Sequence, residues 1–285
     1  MTTRQTKTIT SADGTRIYAL AGGDPSKPAL ICIHGFASTS FAFSKQFENP
    51  ALLSKVFLVA YDIRGSGQSD KPVEAEAYDG ARLAGDFKAV CDAFGIVRPV
   101  LLGWSLGGTA FNSVAGHLPP GYVRGVIYSG GAIPTRAIHA DYASEWLKRI
   151  LPELLSTDTT VMSRASIEFV DCLFARPERV PYEAKVRWLG EIMLAPPATR
   201  VRLEAGSRAL NTTKWETAIK SMRLLVLQGR EDCFAENDKI EKQLKERFGD
   251  QLQFVWIEGV GHMPFWEKTE EHDAVVVRYI ESLGA

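Results

Sequence analysis

Gly103-Trp104-Ser105-Leu106-Gly107-Gly108 stands between a strand-like apolar run, residues 100–102, and a segment of helical period, residues 106–117. This is a G-x-S-x-G pattern in the strand, turn and helix setting that it requires. A sharp turn from strand to helix forces the serine into a strained conformation with its hydroxyl exposed, and small neighbours let the surrounding backbone come close. The same turn sets the Leu106 amide and the positive end of the next helix beside any carbonyl that Ser105 attacks. A glycine-rich turn with an idle serine is the bland alternative, so the rest of the chain has to carry the reading.

Outward from this turn, short runs rich in Val, Ile and Leu recur at 29–33, 56–61, 123–129, 224–228 and 253–257. Such continuous apolar strands are usually covered on both faces, as in a parallel sheet. Helical periods at 81–94, 106–117 and 236–248 alternate with them, which predicts an α/β fold with a mostly parallel, doubly wound sheet. An antiparallel hairpin at 7–10 and 16–20, turning at Asp13-Gly14, is expected to open it. The alternation breaks once, from 132 to 215, where amphipathic stretches are divided by Pro152, Pro177, Pro181 and Pro196-Pro197. The division expected is a sheet core at 1–131 and 216–285 with a helical cap at 132–215 inserted between strands. Aromatic residues of the cap, including Tyr142, Trp146, Phe169, Phe174, Tyr182 and Trp188, are read as its core, with some lining a pocket against the sheet.

Composition narrows the class. The 285 residues are 45% hydrophobic and 24% charged, and 33 basic against 34 acidic residues leave a formal net charge of −1 with both signs interspersed. Nothing in that pattern favours nucleic acid or an anionic membrane as partner. The first ten residues lack the apolar core of an export signal, and no apolar run approaches a membrane span. A cytoplasmic protein, monomeric or homodimeric, with a small-molecule substrate is expected. The four cysteines, Cys32, Cys91, Cys172 and Cys233, are widely spaced, form no C-x-x-C pair and read as reduced, buried thiols.

A serine hydroxyl is a weak nucleophile and needs a base, which needs an orienting acid. After the run 224–228 comes Gly229-Arg230-Glu231-Asp232, a polar turn that would display an acid at a strand end. After 253–257 comes Gly259-Val260-Gly261-His262, a flexible loop carrying a histidine. Asp232 is the expected acid because its shorter arm is the commoner orienting group, with Glu231 as its competitor. Among the five histidines, His117, His139 and His272 fall on helices or in the cap and read as surface or packing residues. His34 ends a strand, where it braces a loop. His34-Gly35-Phe36 also offers a backbone amide, so Phe36 and Leu106 are assigned as oxyanion donors. The stretch 61–70 is glycine-rich but fits neither phosphate-loop pattern. No ligand set has metal spacing, and no cofactor is expected.

Together these motifs resemble the α/β-hydrolase superfamily, in particular its capped branch of esterases, epoxide hydrolases, haloalkane dehalogenases, cofactor-free haloperoxidases and carbon–carbon hydrolases. The resemblance runs through His34-Gly35-Phe36, the stretch 62–70, the turn at Ser105, the turn at Asp232 and Gly261-His262-Met263-Pro264. It implies a serine hydrolase that cleaves a small carboxylic ester or lactone through an acyl-enzyme with Ser105, His262 and Asp232. Epoxide hydrolases and dehalogenases of the superfamily use an aspartate at position 105, so serine favours acyl chemistry. Carbon–carbon bond hydrolysis, haloperoxidase or perhydrolase activity, and a ligand-binding receptor on the same scaffold are the alternatives. Trp104, Phe265, Trp266 and Tyr142 are the expected substrate contacts.

Overall fold

The computed structural model describes residues 4–132 and 134–284. Strands β1 (Gln5–Thr10) and β2 (Arg16–Gly22) form the expected antiparallel hairpin. They are followed by β3 (Ala29–Ile33), β4 (Phe57–Tyr61), β5 (Val100–Trp104), β6 (Gly125–Ser129), β7 (Leu224–Gly229) and β8 (Leu252–Ile257). One eight-stranded sheet in the order β1-β2-β4-β3-β5-β6-β7-β8 results. From β4 to β8 every pairing is parallel, and β2 lies antiparallel to β4. The chain works outward in both directions from β3 and β5, so a crevice opens beyond their carboxyl ends, where open α/β sheets hold ligands.

Helices α1 (Pro50–Leu53), α2 (Gly80–Phe94) and α3 (Ala110–His117) precede β6. Between β6 and β7 come α4 (Arg136–Ala140), α5 (Glu145–Leu154), α6 (Thr159–Cys172), α7 (Tyr182–Leu194), α8 (Pro197–Arg208) and α9 (Thr213–Ile219). The chain then adds α10 (Asn237–Phe248), α11 (Pro264–Glu267) and α12 (Thr269–Ser282). Side chains alternate across a strand, so Leu30, Cys32, Leu58, Leu102 and Leu227 join α1 and α12 in one apolar cluster. Ile31, Ile33, Val59, Leu101 and Val226 join α2, α3, α9 and α10 in the other. Strands β4 to β7 are buried throughout, whereas β8, at the sheet edge, is only partly covered.

The helical segment read from 106 begins differently. A 3₁₀ turn, Ser105–Thr109, comes first and α3 follows it.

Helices α5 to α7 send Ile150, Phe169 and Trp188 into the cluster that holds Phe36, Trp104 and Phe265, so they cover the carboxyl edge of the sheet. The cap boundary expected at 215 falls inside α9, whose Trp215 and Ile219 pack with the α3 side of the sheet. A short antiparallel seam joins the segment after α4 to the one after β7. Ala143 pairs with Ala235, the Ser144 amide donates to the Phe234 carbonyl at 3.1 Å, and the Glu236 amide donates to the Tyr142 carbonyl at 2.7 Å.

Candidate active site

Ser105 has φ 51°, a left-handed conformation that a residue with a β-carbon adopts only under constraint. Close approach explains how it is held. A β-carbon at Gly107 would lie 2.3 Å from the Ile33 carbonyl oxygen and one at Gly103 would lie 2.5 Å from Gly108 Cα, so both positions exclude side chains. The Ser105 amide donates to the Gly130 carbonyl at 3.1 Å, tying the turn to the end of β6. Ser105 remains partly exposed while Leu106 to Thr109 are buried, and its Oγ makes no hydrogen bond among the described residues.

The turn after β7 separates its two acids. Glu231 reaches outward to Arg176 at 2.6 Å. Asp232, 2% exposed, accepts His262 Nδ1–H at 2.9 Å and Gln228 Nε2 at 2.7 Å on Oδ2, and the Phe234 amide at 2.9 Å on Oδ1. Three N–H donors satisfy the carboxylate as an acceptor and fix the imidazole tautomer, leaving Nε2 with its lone pair. The Phe234 ring stacks on the imidazole at 3.7 Å and 8°. The Cε1 edge of the ring meets Gly131, where a β-carbon would lie 2.3 Å from His262 Cε1. The His262 carbonyl accepts Trp104 Nε1–H at 3.0 Å. Ser105 and His262 therefore both rest against Gly130-Gly131, while Asp232 is bonded to the imidazole alone of the two.

The loop after β3 carries the Phe36 amide. His34 braces that loop: its Nδ1–H donates to the Gly35 carbonyl at 2.8 Å and its Nε2 accepts the Ile63 amide at 3.0 Å. A β-carbon at Gly35 would come 3.2 Å from Ser105 Cβ, which places this loop directly over the serine. Ala37, next to Phe36, has φ 51°, so the backbone bends sharply beside the Phe36 amide. That amide donates to no protein group among the described residues. The Leu106 amide belongs to the first turn of a helix, whose N–H groups have no acceptor within the helix. Asp62 holds the arrangement from behind, accepting the Ser40 amide and the Gln68 amide, each at 2.8 Å.

Three of the four aromatic residues expected to touch substrate are committed to packing instead. Trp104 is 2% exposed, and Phe265 and Tyr142 are 0% exposed, so no ring face is left to line a cavity. Trp104 lies between the histidine loop and Phe265. The Tyr142 hydroxyl donates to the Ala132 carbonyl at 2.6 Å. Trp266 is partly exposed and packs on Phe174 and Trp188 with the Lys45 ammonium 3.7 Å above its ring. Sequence reading missed Gln228, which bonds both Asp232 and the Gly131 amide. Its signal was a lone amide at the end of an all-apolar strand. Glu267 was missed too: it accepts the Gly261 amide at 2.7 Å and the Ala175 amide at 3.0 Å, and burial raises its pKa. Of the four thiols, Cys32 and Cys91 are buried, while Cys172 and Cys233 are partly exposed and Cys233 Sγ donates to the Cys172 carbonyl at 3.5 Å.

This architecture defines a class. A family model described as "alpha/beta hydrolase fold" matches residues 28–269, and the chain belongs to that family. Among solved structures, the esterase RhEst1 from Rhodococcus sp. ECU1013 superposes with a TM-score of 0.84 at 28% identity, covering 98% of this chain and 99% of that one. The AB hydrolase superfamily protein YisY of Bacillus subtilis is 25% identical over 255 residues, 89% of this chain and 91% of its own length. Epoxide hydrolase 4 of Mus musculus is 34% identical over 95 residues, but the match spans only 33% of this chain and 26% of that protein. Among the described residues no helix is long and apolar enough to cross a membrane, and no group of three or more His, Cys, Asp or Glu is placed to hold a metal ion.

Proposed function

We propose that this chain is a serine hydrolase that cleaves a small carboxylic ester or lactone through an acyl-enzyme. The observation that carries the reading is the Asp232 to His262 bond at 2.9 Å, set across Gly130-Gly131 from a serine held at φ 51°. His262 Nε2 takes the proton of Ser105 Oγ as it attacks the substrate carbonyl, and Asp232 steadies the imidazolium that forms. The Phe36 and Leu106 amides stabilise the tetrahedral oxyanion, each contributing about 3 kcal/mol in comparable sites. The imidazolium then protonates the departing alcohol, leaving the acyl group on Oγ. In the second half-reaction His262 takes a proton from water, hydroxide attacks the acyl carbonyl, and Oγ leaves with the proton returned. Resting sites of this kind often leave the serine–histidine bond unmade until substrate arrives.

The 28% identical structure that resembles this chain along nearly its whole length is called an esterase, which supports the ester reading. The serine at 105 weighs against the activity in the epoxide hydrolase's name. Labelling with a fluorophosphonate followed by peptide mapping tests the assignment: modification at Ser105, lost in Ser105→Ala, is expected. Ester turnover should fall by several powers of ten in that variant with the fold intact. Undiminished turnover would sink the proposal.

A further inference from the structure

Glu191 of α7 is 8% exposed, its carboxylate buried against the loop that follows β3. Thr39 Oγ1 donates to its Oε1 at 2.7 Å and Ser38 Oγ to its Oε2 at 3.3 Å, so each carboxylate oxygen takes one hydroxyl of that loop. Arg187, one turn earlier on α7, donates from Nε to Oε1 at 3.0 Å, and its guanidinium lies 4.5 Å from the centre of the Phe41 ring. Trp188 meets the same ring, the centroids 6.2 Å apart. Residues 38–41 are thus gripped from the α7 side, while Asp62 accepts the Ser40 amide from the sheet side. Burial raises the Glu191 pKa, and the Thr39 and Arg187 bonds act against it. A buried carboxylate is costly unless it is hydrogen-bonded, and three donors meet that need here.

The grip falls beside a strained turn. Only Ala37 separates Ser38 from Phe36, whose amide is assigned to the oxyanion, and Ala37 has φ 51°. A residue with a β-carbon keeps that conformation only when its surroundings fix it. On the near flank, His34 Nδ1–H holds the Gly35 carbonyl at 2.8 Å, and that carbonyl shares one planar peptide unit with the Phe36 amide. On the far flank, Glu191 holds the two side chains that follow Ala37.

We propose that Glu191 is a positioning residue: from α7 it clasps Ser38 and Thr39, keeps Ala37 left-handed and so holds the Phe36 amide where the oxyanion forms. This role rests on the ester-hydrolase reading above and deepens it, because the inserted helices then set transition-state stabilisation as well as covering the site. An amide that matters most once the oxyanion exists should show its displacement in kcat and leave KM nearly alone.

Steady-state kinetics with p-nitrophenyl acetate tests this. Glu191→Leu, which keeps the bulk and removes both acceptors, should lower kcat about tenfold, a part of the roughly 10²–10³ that a whole oxyanion donor supplies, with KM within about twofold. Inhibition by 1,1,1-trifluorobutan-2-one reads the same amide: its carbonyl carbon bonds Ser105 Oγ, the proton passes to His262 and the carbonyl oxygen becomes an oxyanion. Its affinity should fall by the factor that kcat/KM falls. Glu191→Gln keeps one acceptor oxygen for Thr39 and should lose no more than about threefold. In an Ala37→Gly background positive φ carries no steric penalty, so there Glu191→Leu should also cost no more than about threefold. Should Glu191→Leu misfold, Thr39→Val breaks the same bond from the loop side, with the same expectations. An unchanged kcat, a loss confined to KM, inhibitor affinity that does not follow kcat/KM, or an undiminished loss in the Ala37→Gly background would overturn the proposal. A wild-type chain that neither labels at Ser105 nor turns over ester sinks the hydrolase reading and this role with it. A wild type that does both, beside an unimpaired Glu191→Leu, sinks this role alone.

Discussion

At the scale of single residues, neighbouring acids have been given opposite tasks by a turn. Glu231 faces solvent and Arg176, while Asp232 is buried and bonded to the imidazole. Asp232→Asn should lower kcat by about 10⁴ by favouring the wrong tautomer, whereas Glu231→Gln should change it little. Steady-state kinetics on a neutral ester distinguishes them, and equal losses would reassign the acid. Chain order and the strand ends singled out Asp232 and His262, and the structure bonds these two to each other at 2.9 Å. Trp104 was misread because nearness in sequence to the serine says nothing about direction. It shares a strand face with Leu102, so its ring points toward Phe265 and α12. Arg200 was not foreseen: it is 2% exposed, and its Nε and Nη1 have no hydrogen-bond partner among the described residues. Burying an unpaired charge is costly, so Arg200→Met should raise Tm by roughly 2–4 °C, readable by calorimetry.

At the scale of elements, the connection leaving β6 matters most. Gly131 has φ 58° and its missing side chain is the space that the imidazole fills. Gly131→Ala should displace His262, lowering kcat by about 10²-fold or more, with the low-field Nδ1 proton resonance lost and the far-ultraviolet circular dichroism kept. Strand and helix alternation was legible because runs such as 224–227 are apolar throughout, the pattern of strands covered on both faces in a parallel sheet. The insertion was legible as helical from its prolines and periodicity. Which faces of its helices turn toward the serine was not, since amphipathic spacing marks a buried side without saying what buries it. The position of α9 shows this, its Trp215 reading equally well as cap or as sheet layer until packing decided.

Across the whole molecule, a buried charge network ties the early strands to α2. Arg64, whose side chain is 0% exposed, bonds Asp86 at 2.6 Å and Asp13 at 2.8 Å. Hydrogen bonding to Arg64 holds the Asp13 carboxyl well below the ordinary carboxylate range. A depressed folded pKa contributes stability above the unfolded value near 4 and loses it as pH falls through the folded value. The Tm should therefore be insensitive to this pair from pH 7 to about 5 and decline below about 4, and Asp13→Asn should flatten that decline in thermal melts. The seam at Ala143 and Ala235 has an effect of its own. Because main-chain bonds stitch the inserted helices to the segment just past Asp232, that border cannot gape without tearing a ladder. Any breathing that admits solute must pivot there and part on the far rim, and amide exchange at 144 should be the slowest along the insertion, matched by 236 on the facing segment.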